Sequence, residues 1–86
     1  MTIEWGFGQI MSRKGLDLKT RELAIIAACV TLGNAQPQLL AHIEAAMNVG
    51  ATREEIIEVI LQTALYAGFA AVTNALFAAK SLLTKD

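Results

Sequence analysis

Apolar residues recur at helical spacing through the second half of the chain, and the pattern begins at a clear start signal. Thr52 followed three residues later by Glu55 fits a capping box, in which each side chain accepts a hydrogen bond from the other's backbone N–H. Ile56, Ile60 and Leu61 follow at spacings of one to four residues, as on the buried face of a helix. The pattern predicts an amphipathic helix after residue 52, and no alternation typical of a strand competes with it.

The remaining sequence predicts three further helices separated by short breaks. Asp17 is a plausible N-cap for a first helix that runs to about Leu32, and a second helix is predicted over residues 36–49. Gly68 interrupts the pattern before a fourth helix that continues to about Leu83. The segment before the first helix is weakly patterned and ends in a loop. Short connections favour antiparallel neighbours, so an all-α, compact antiparallel helical bundle is predicted, as a single domain over residues 1–86.

The composition predicts that this bundle is assembled from several copies. Hydrophobic residues make up 55% of the 86 residues and charged residues only 17%. A chain of this length buries only about 60–65% of the surface that it exposes when unfolded. Because a small monomer cannot cover so much apolar surface, a homo-oligomer is expected.

Charge and cysteine content exclude several classes of partner and site. The net charge of −1 provides no field to attract nucleic acid or an anionic membrane. A single cysteine, Cys29, excludes an internal disulfide and a cysteine-based metal cluster, and no metal ligand set is expected. The first residues do not resemble a signal peptide, so a soluble, cytoplasmic protein of a reducing compartment is predicted.

Residues 59–79 carry no charge and form a run about long enough to cross a bilayer. Polar side chains interrupt this run, among them Gln62 and Tyr66, and Gly68 lies near its middle. Its large residues also lie on particular faces of the predicted helices instead of all around them. A membrane span is therefore not expected.

His42, the single histidine, is the first candidate for chemistry. On a helical wheel it lies about 100° from Ile43, at the edge of the apolar face of the second predicted helix. An imidazole suits general acid/base work, but a half-buried structural histidine explains the same position. Glu22 is the second candidate, because it precedes ten uncharged residues on an apolar side of the first helix. It is either a carboxylate paired with Lys19 or Arg21 near the helix N-terminus, or a tuned acid or base.

Five other positions have weaker functional interpretations or structural ones. Gln62 and Tyr66 are four residues apart on the third predicted helix and could hold a polar substrate or satisfy backbone groups. Cys29 is interpreted as a small core residue. Trp5 and Phe7 are predicted to be packing anchors of the N-terminal segment.

Taken together, these residues resemble the carboxymuconolactone decarboxylase family of the alkylhydroperoxidase-D-like superfamily. The resemblance is carried by the strings "GLDLKTRELAIIAA", "AHIEAAMNVGATREEIIEVILQTALYAG" and "AAVTNAL", with "EWGFGQIMSRKGLD" as the lead-in. It implies an all-α fold of the alkylhydroperoxidase-D-like type, assembled as trimers or hexamers. Family members usually have a further helical stretch before this lead-in, and that stretch is expected to be missing here.

The resemblance also indicates a choice of chemistry. The redox branch of the superfamily carries a Cys-x-x-Cys ahead of the motif histidine, and this chain has Ala35 and Gln38 there. Disulfide-cycling peroxidase chemistry is therefore not expected. The decarboxylase branch uses no cofactor and removes CO₂ from a carboxylated lactone of aromatic catabolism.

Carried onto this chain, the decarboxylase resemblance implies specific roles for its polar residues. His42 and Glu22 are the candidate catalytic residues, while Gln62, Tyr66 and Arg21 are the candidates for substrate binding. The alternatives are a non-enzymatic small-molecule-binding or assembly member of the same fold and, less favoured, a thiol-dependent peroxidase that acts through Cys29.

Overall fold

Helices account for the whole architecture in the computed structural model, which describes the backbone of residues 3–84 and the side chains of residues 6–84. Within this range no strand is present, so the predicted all-α class is confirmed. The side chain of Trp5, a predicted packing anchor, lies outside the described residues. Seven helical segments follow one another along the chain: α1 (Ile3–Met11), α2 (Leu18–Leu32), α3 (Gln36–Asn48), α4 (Arg53–Gln62), α5 (Ala64–Ala67), α6 (Phe69–Ala78) and α7 (Lys80–Leu83).

Local capping signals locate the ends of the predicted helices well. The Asp17 carboxylate accepts a hydrogen bond of 2.7 Å from the Thr20 N–H, which starts α2. Gly33 ends α2 in the left-handed region, at φ 76°, and its N–H donates to the Cys29 carbonyl. At the start of α4, the Thr52 N–H donates to Glu55 at 2.9 Å and the Glu55 N–H donates to Thr52 at 3.0 Å. The predicted N-cap and capping box are therefore both confirmed.

The structure has more helical segments than the sequence pattern indicated. α1 was not anticipated, because the segment before Asp17 was interpreted as weakly patterned and ending in a loop. The predicted third helix is divided at Thr63, whose hydroxyl donates to the Ile60 carbonyl at 2.7 Å and whose N–H donates to the same oxygen. These bonds span three residues and tighten the last turn of α4. The predicted fourth helix is likewise divided at Ala79, into α6 and α7.

The core forms where the apolar faces of α2, α3, α4 and α6 meet. Its four largest fully buried side chains are Ile26 from α2, Ile43 from α3, and Ile56 and Ile60 from α4. The apolar face predicted for the second helix is confirmed, since its central residues are buried or partly buried. Burying an isoleucine contributes about 1.5–3 kcal/mol, so these four side chains contribute strongly to holding the helices together.

Gly68 turns the chain between α5 and α6. Its φ of 89° and ψ of 163° lie in a region that residues with a Cβ rarely adopt. The charge-free run is therefore not one continuous helix. Among the described residues, no helix combines the length and the apolar character needed to cross a bilayer.

Replacing Thr52 with alanine should lower the free energy of unfolding by about 1 kcal/mol, because the hydroxyl that accepts from the Glu55 N–H is lost, while the backbone N–H that donates to Glu55 remains. In a domain of this size the corresponding fall in Tm is about 4–8 °C. Thermal unfolding followed by circular dichroism, at fixed protein concentration, measures the change. Thr73→Ala is the matched control, since Thr73 is exposed in the middle of α6 and should tolerate the same change. Equal effects of the two variants would contradict the stabilising role of the cap.

Candidate active site

Glu22 lies on the buried face of α2, one turn before Ile26, with only 7% of its surface exposed. A carboxylate in such a position is costly unless a hydrogen-bonding partner compensates its lost hydration. The partner comes from α3, where His42 Nδ1 lies 2.6 Å from Glu22 Oε1. The structure thus joins the two residues proposed for catalysis, which are 20 positions apart in sequence.

His42 lies at the edge of the buried face of α3, with 19% of its side chain exposed, as its position on the helical wheel predicted. A proton on Nδ1 would be donated to the Glu22 carboxylate, which fixes the ring and leaves Nε2 for another partner. Phe7 of α1 lies against the ring, with the two ring centroids 5.7 Å apart and the planes tilted by 38°. The imidazole is therefore held on one side by a carboxylate and on another by an aromatic ring.

This arrangement suits proton transfer at Nε2. With Nδ1–H donated to Glu22, a neutral imidazole presents a lone pair at Nε2 and an imidazolium presents an N–H there. A carboxylate partner orients the ring and fixes which nitrogen carries the proton, as in other histidine–carboxylate pairs. The Glu22–His42 pair can thus accept or deliver one proton at a defined position.

The interpretation that paired Glu22 with Lys19 or Arg21 is wrong. Lys19 Nζ instead forms an ion pair of 2.8 Å with Glu55 Oε2, which links α2 to the start of α4. Lys19 and the backbone N–H of Thr52 hold the pKa of Glu55 below its ordinary value of 4.5. Since Lys19 and Arg21 have other partners, Glu22 is left to His42.

Arg21 is held by the loop that precedes α2. Its Nη2 donates to the Arg13 carbonyl at 3.2 Å. Its Nε is buried and has no hydrogen-bond partner among the described residues. Arg21 directly precedes Glu22 in α2, but its Nε is closed off from solvent in this structure. Its role in binding a substrate stays a prediction.

Gln62 and Tyr66 lie at the other candidate positions for substrate binding, and both are exposed. Gln62 ends α4, whereas Tyr66 belongs to α5 and has 99% of its surface exposed. In the described part of the chain, no hydrogen bond joins either side chain to Glu22 or His42. Their role in substrate binding also stays a prediction.

Cys29 is buried, with 8% of its surface exposed, in the core between the helices. Burial raises the pKa of the Cys29 thiol, so the reactive thiolate is disfavoured. Within residues 6–84, whose side chains the structure describes, no group of three or more histidine, cysteine, aspartate or glutamate side chains could hold a metal ion. The described polar chemistry is therefore concentrated at the Glu22–His42 pair.

Two open cavities lie away from this pair. One, of about 380 Å³, is called the α6–α7 groove here and is lined by Ile57, Thr73, Leu76, Phe77, Lys80, Leu83 and Thr84. The other, of about 400 Å³, lies between α1 and α2 and is lined by residues from Gly8 to Leu18. Neither cavity includes Glu22 or His42 in its wall.

The sequence pattern of the carboxymuconolactone decarboxylase family matches residues 2–81, and the chain belongs to this family. The chain is 39% identical over 85 residues to an uncharacterised 15.0 kDa protein of Paracoccus denitrificans, a match that covers 98% of this chain and 63% of that protein. It is 37% identical over 78 residues to the 4-carboxymuconolactone decarboxylase of Acinetobacter baylyi, covering 91% and 58% of the two chains.

A third relative is the nitrosuccinic acid decarboxylase of Metarhizium robertsii, which is 37% identical over 65 residues. That match covers 76% of this chain and 45% of the relative. The chain thus spans less than two thirds of the length of each of these three curated relatives. The predicted family is confirmed.

Phe7 is the member of this site whose position the sequence did not predict. Its apolar character predicted packing, but no local pattern linked it to His42, 35 positions later in the sequence. The contact arises from the path of α1 across the bundle, and only the tertiary structure shows it.

Replacing Glu22 with alanine should release the His42 ring, because the acceptor of the Nδ1 proton is lost. In the wild-type chain we expect a slowly exchanging proton on Nδ1, seen in ¹⁵N-resolved NMR spectra at a pH where the ring is neutral. The chain contains one histidine, so the signal needs no assignment. Glu44→Ala, in an exposed position on α3, is the control and should keep the signal. An Nδ1 proton that persists in Glu22→Ala would contradict the hydrogen bond.

Proposed function

We propose that the chain is a decarboxylase that needs no cofactor and acts on a carboxylated lactone similar to carboxymuconolactone. The observation that carries this proposal is the buried contact between Glu22 and His42, which presents an oriented proton donor. Membership of the decarboxylase family supports it, as do the names of the Acinetobacter and Metarhizium relatives. We propose that this substrate is an intermediate in the breakdown of an aromatic compound.

The proposed reaction breaks the bond between the ring carbon and the carboxylate. CO₂ leaves, and the electron pair stays on the carbon, from which it delocalises onto the lactone carbonyl as a dienolate. The His42 imidazolium then donates its Nε2 proton to the carbanionic carbon and becomes neutral. Solvent returns the proton to Nε2, and Glu22 keeps the ring oriented throughout by accepting the Nδ1 proton.

Arg21 is proposed to bind the anionic substrate through the guanidinium N–H groups that are not donated to the Arg13 carbonyl. A guanidinium on the departing carboxylate would stabilise the substrate as much as the transition state and would mainly lower KM. On the oxygen where dienolate charge develops, it would also raise kcat. Replacing Arg21 would therefore change mainly KM in the first placement, and kcat as well in the second.

The alternative proposal is a binding member of the same fold that does not catalyse a reaction. The observation that favours it is the position of the α6–α7 groove, whose lining is largely apolar and does not include Glu22 or His42. Such a protein would bind a lactone or a related acid without consuming it. Measuring both binding and turnover on one preparation separates the two proposals.

Replacing His42 with alanine should reduce decarboxylation about 100- to 10,000-fold, which is the usual contribution of a positioned general acid. The assay follows the loss of carboxymuconolactone by ultraviolet absorbance, without added metal or cofactor. Glu44→Gln is the matched control, because Glu44 is an exposed residue two positions further along α3.

Unchanged turnover in a folded His42→Ala variant would refute the catalytic role of this residue. Substrate binding without turnover in the wild-type chain would support the binding proposal instead. Peroxide consumption that is lost in Cys29→Ser would favour the hypothesis of a thiol-dependent peroxidase. The burial of Cys29 opposes that hypothesis.

Replacing Arg21 with glutamine should raise KM for the carboxylated substrate about tenfold or more, since a hydrogen bond to a charged group contributes about 1.5–3 kcal/mol. Steady-state kinetics over a range of substrate concentrations separate this effect from a change in kcat. Arg53→Gln is the control, because Arg53 also donates to a backbone carbonyl, that of Leu82 at 3.3 Å, and its Nε is already used. Equal kinetic effects of both substitutions would place the loss in folding rather than in substrate binding.

A further inference from the structure

Phe7 connects α1 to the Glu22–His42 pair. Its ring lies against the His42 ring, with the two centroids 5.7 Å apart, while 45% of the surface of Phe7 remains exposed. One turn further along α3, the neighbours of His42 are Ala45 and Ala46, whose side chains are too short to cover an imidazole. The aromatic cover of the His42 ring therefore comes from α1 and not from its own helix.

α1 is weakly attached to the rest of the bundle. None of the side chains of residues 6–18 is buried. A helix of nine residues is shorter than the roughly 12–15 residues that make an isolated helix even marginally stable in water. Gly6 and Gly8 lower its helical stability further, by about 0.5–1 kcal/mol each relative to alanine. α1 therefore needs tertiary contacts to stay helical and in place.

Two of the contacts that hold this segment end on residues of the proposed active site. Phe7 packs against His42, and the carbonyl of Arg13, just after α1, accepts a hydrogen bond of 3.2 Å from Arg21 Nη2. An interaction couples its two partners reciprocally, so the contacts that hold α1 also restrict the His42 ring and the Arg21 guanidinium. The position of α1 and the geometry of the site are therefore linked.

We propose that Phe7 is a positioning residue of the decarboxylation, an inference that rests on the proposed function. The hydrogen bond to Glu22 holds the imidazole at Nδ1, and the packing of Phe7 against the ring limits how far it can tilt about that point. Together the two contacts determine where Nε2 points. A reacting group misplaced by about 1 Å can lose about 100-fold in rate. Phe7 thus affects the proton transfer by acting through His42.

The same ring limits the access of water to the pair. Only 19% of the His42 side chain is exposed while Phe7 covers it. Replacing the phenyl ring with a methyl group uncovers the imidazole surface on which it packs. Water then competes with the Glu22 carboxylate for the Nδ1 proton, as it does for any exposed hydrogen bond. Phe7 therefore prolongs the lifetime of this proton in addition to orienting the ring.

The first test follows the single histidine by NMR and needs no substrate. In Phe7→Ala the carbon-bound ring protons of His42 should change chemical shift, because the ring current of Phe7 is lost. The Nδ1 proton should exchange with solvent about tenfold faster or more, since less local opening is needed to expose it. Phe7→Tyr keeps the aromatic ring and should keep the slow exchange. Ile10→Ala is the matched control, because Ile10 lies one turn away on α1 and is 59% exposed.

The second test measures turnover of the carboxylated lactone. Phe7→Ala should lower kcat about 10- to 100-fold with little change in KM, because the Nε2 proton is misplaced whereas Arg21 keeps its bond to the Arg13 carbonyl. Phe7→Tyr should restore most of kcat, and Ile10→Ala should change neither constant. The split between kcat and KM distinguishes positioning of His42 from a general detachment of α1, which would release Arg21 and change KM as well.

Unchanged exchange of the Nδ1 proton in Phe7→Ala overturns the positioning role, whatever the activity of the chain. An equal loss of kcat in Phe7→Ala and Ile10→Ala overturns it too, because any disturbance of α1 would then have the same effect. A wild-type chain that does not consume the lactone refutes the proposed function. The NMR comparison still decides in that case whether Phe7 fixes the His42 ring.

Discussion

The removal of the Glu22 carboxylate from water is the constraint on which the arrangement of α2 and α3 depends. A carboxylate that is only 7% exposed needs a partner with a donor, and His42 is that partner at 2.6 Å. To supply it, α3 must pack so that the edge of its apolar face meets the buried face of α2. The apolar contacts of Ile26 and Ile43 hold the two helices together, whereas the polar contact selects how they are aligned.

Features that depend on residues close in sequence were predicted well. The caps at Asp17 and Thr52 involve partners three residues away, and the bounds of α2 follow from Asp17 and Gly33. The buried face of α3 was also predictable, because helical periodicity alone decides which side of a helix is apolar. Two short interruptions, at Thr63 and Ala79, were not predicted, since they change the hydrogen-bonding pattern without changing the apolar period.

Contacts between distant parts of the chain could not be predicted from the residues alone. Glu22 and His42 were each identified as unusual. Helical spacing within one helix, however, gives no information about how far its residues lie from those of another helix. The packing of Phe7 on His42 depends in addition on the direction in which α1 leaves the bundle, and helical periodicity does not give that direction. Leu61 is the opposite case, because the pattern placed it on the buried face with Ile56 and Ile60, whereas the structure leaves it 44% exposed. Periodicity shows that a face is apolar, but not what covers it.

The burial of Cys29 has a practical consequence for measuring motion in this protein. Its thiol lies in the core, is 8% exposed and has a raised pKa, so its alkylation should be slow until the surrounding helices separate. Because the chain has a single cysteine, the rate of its modification under native conditions reports one opening event. When closing is fast compared with alkylation, that rate gives the free energy of the opening. Cys29 takes no part in the proposed chemistry, but its alkylation rate thus measures how often the helices around it open.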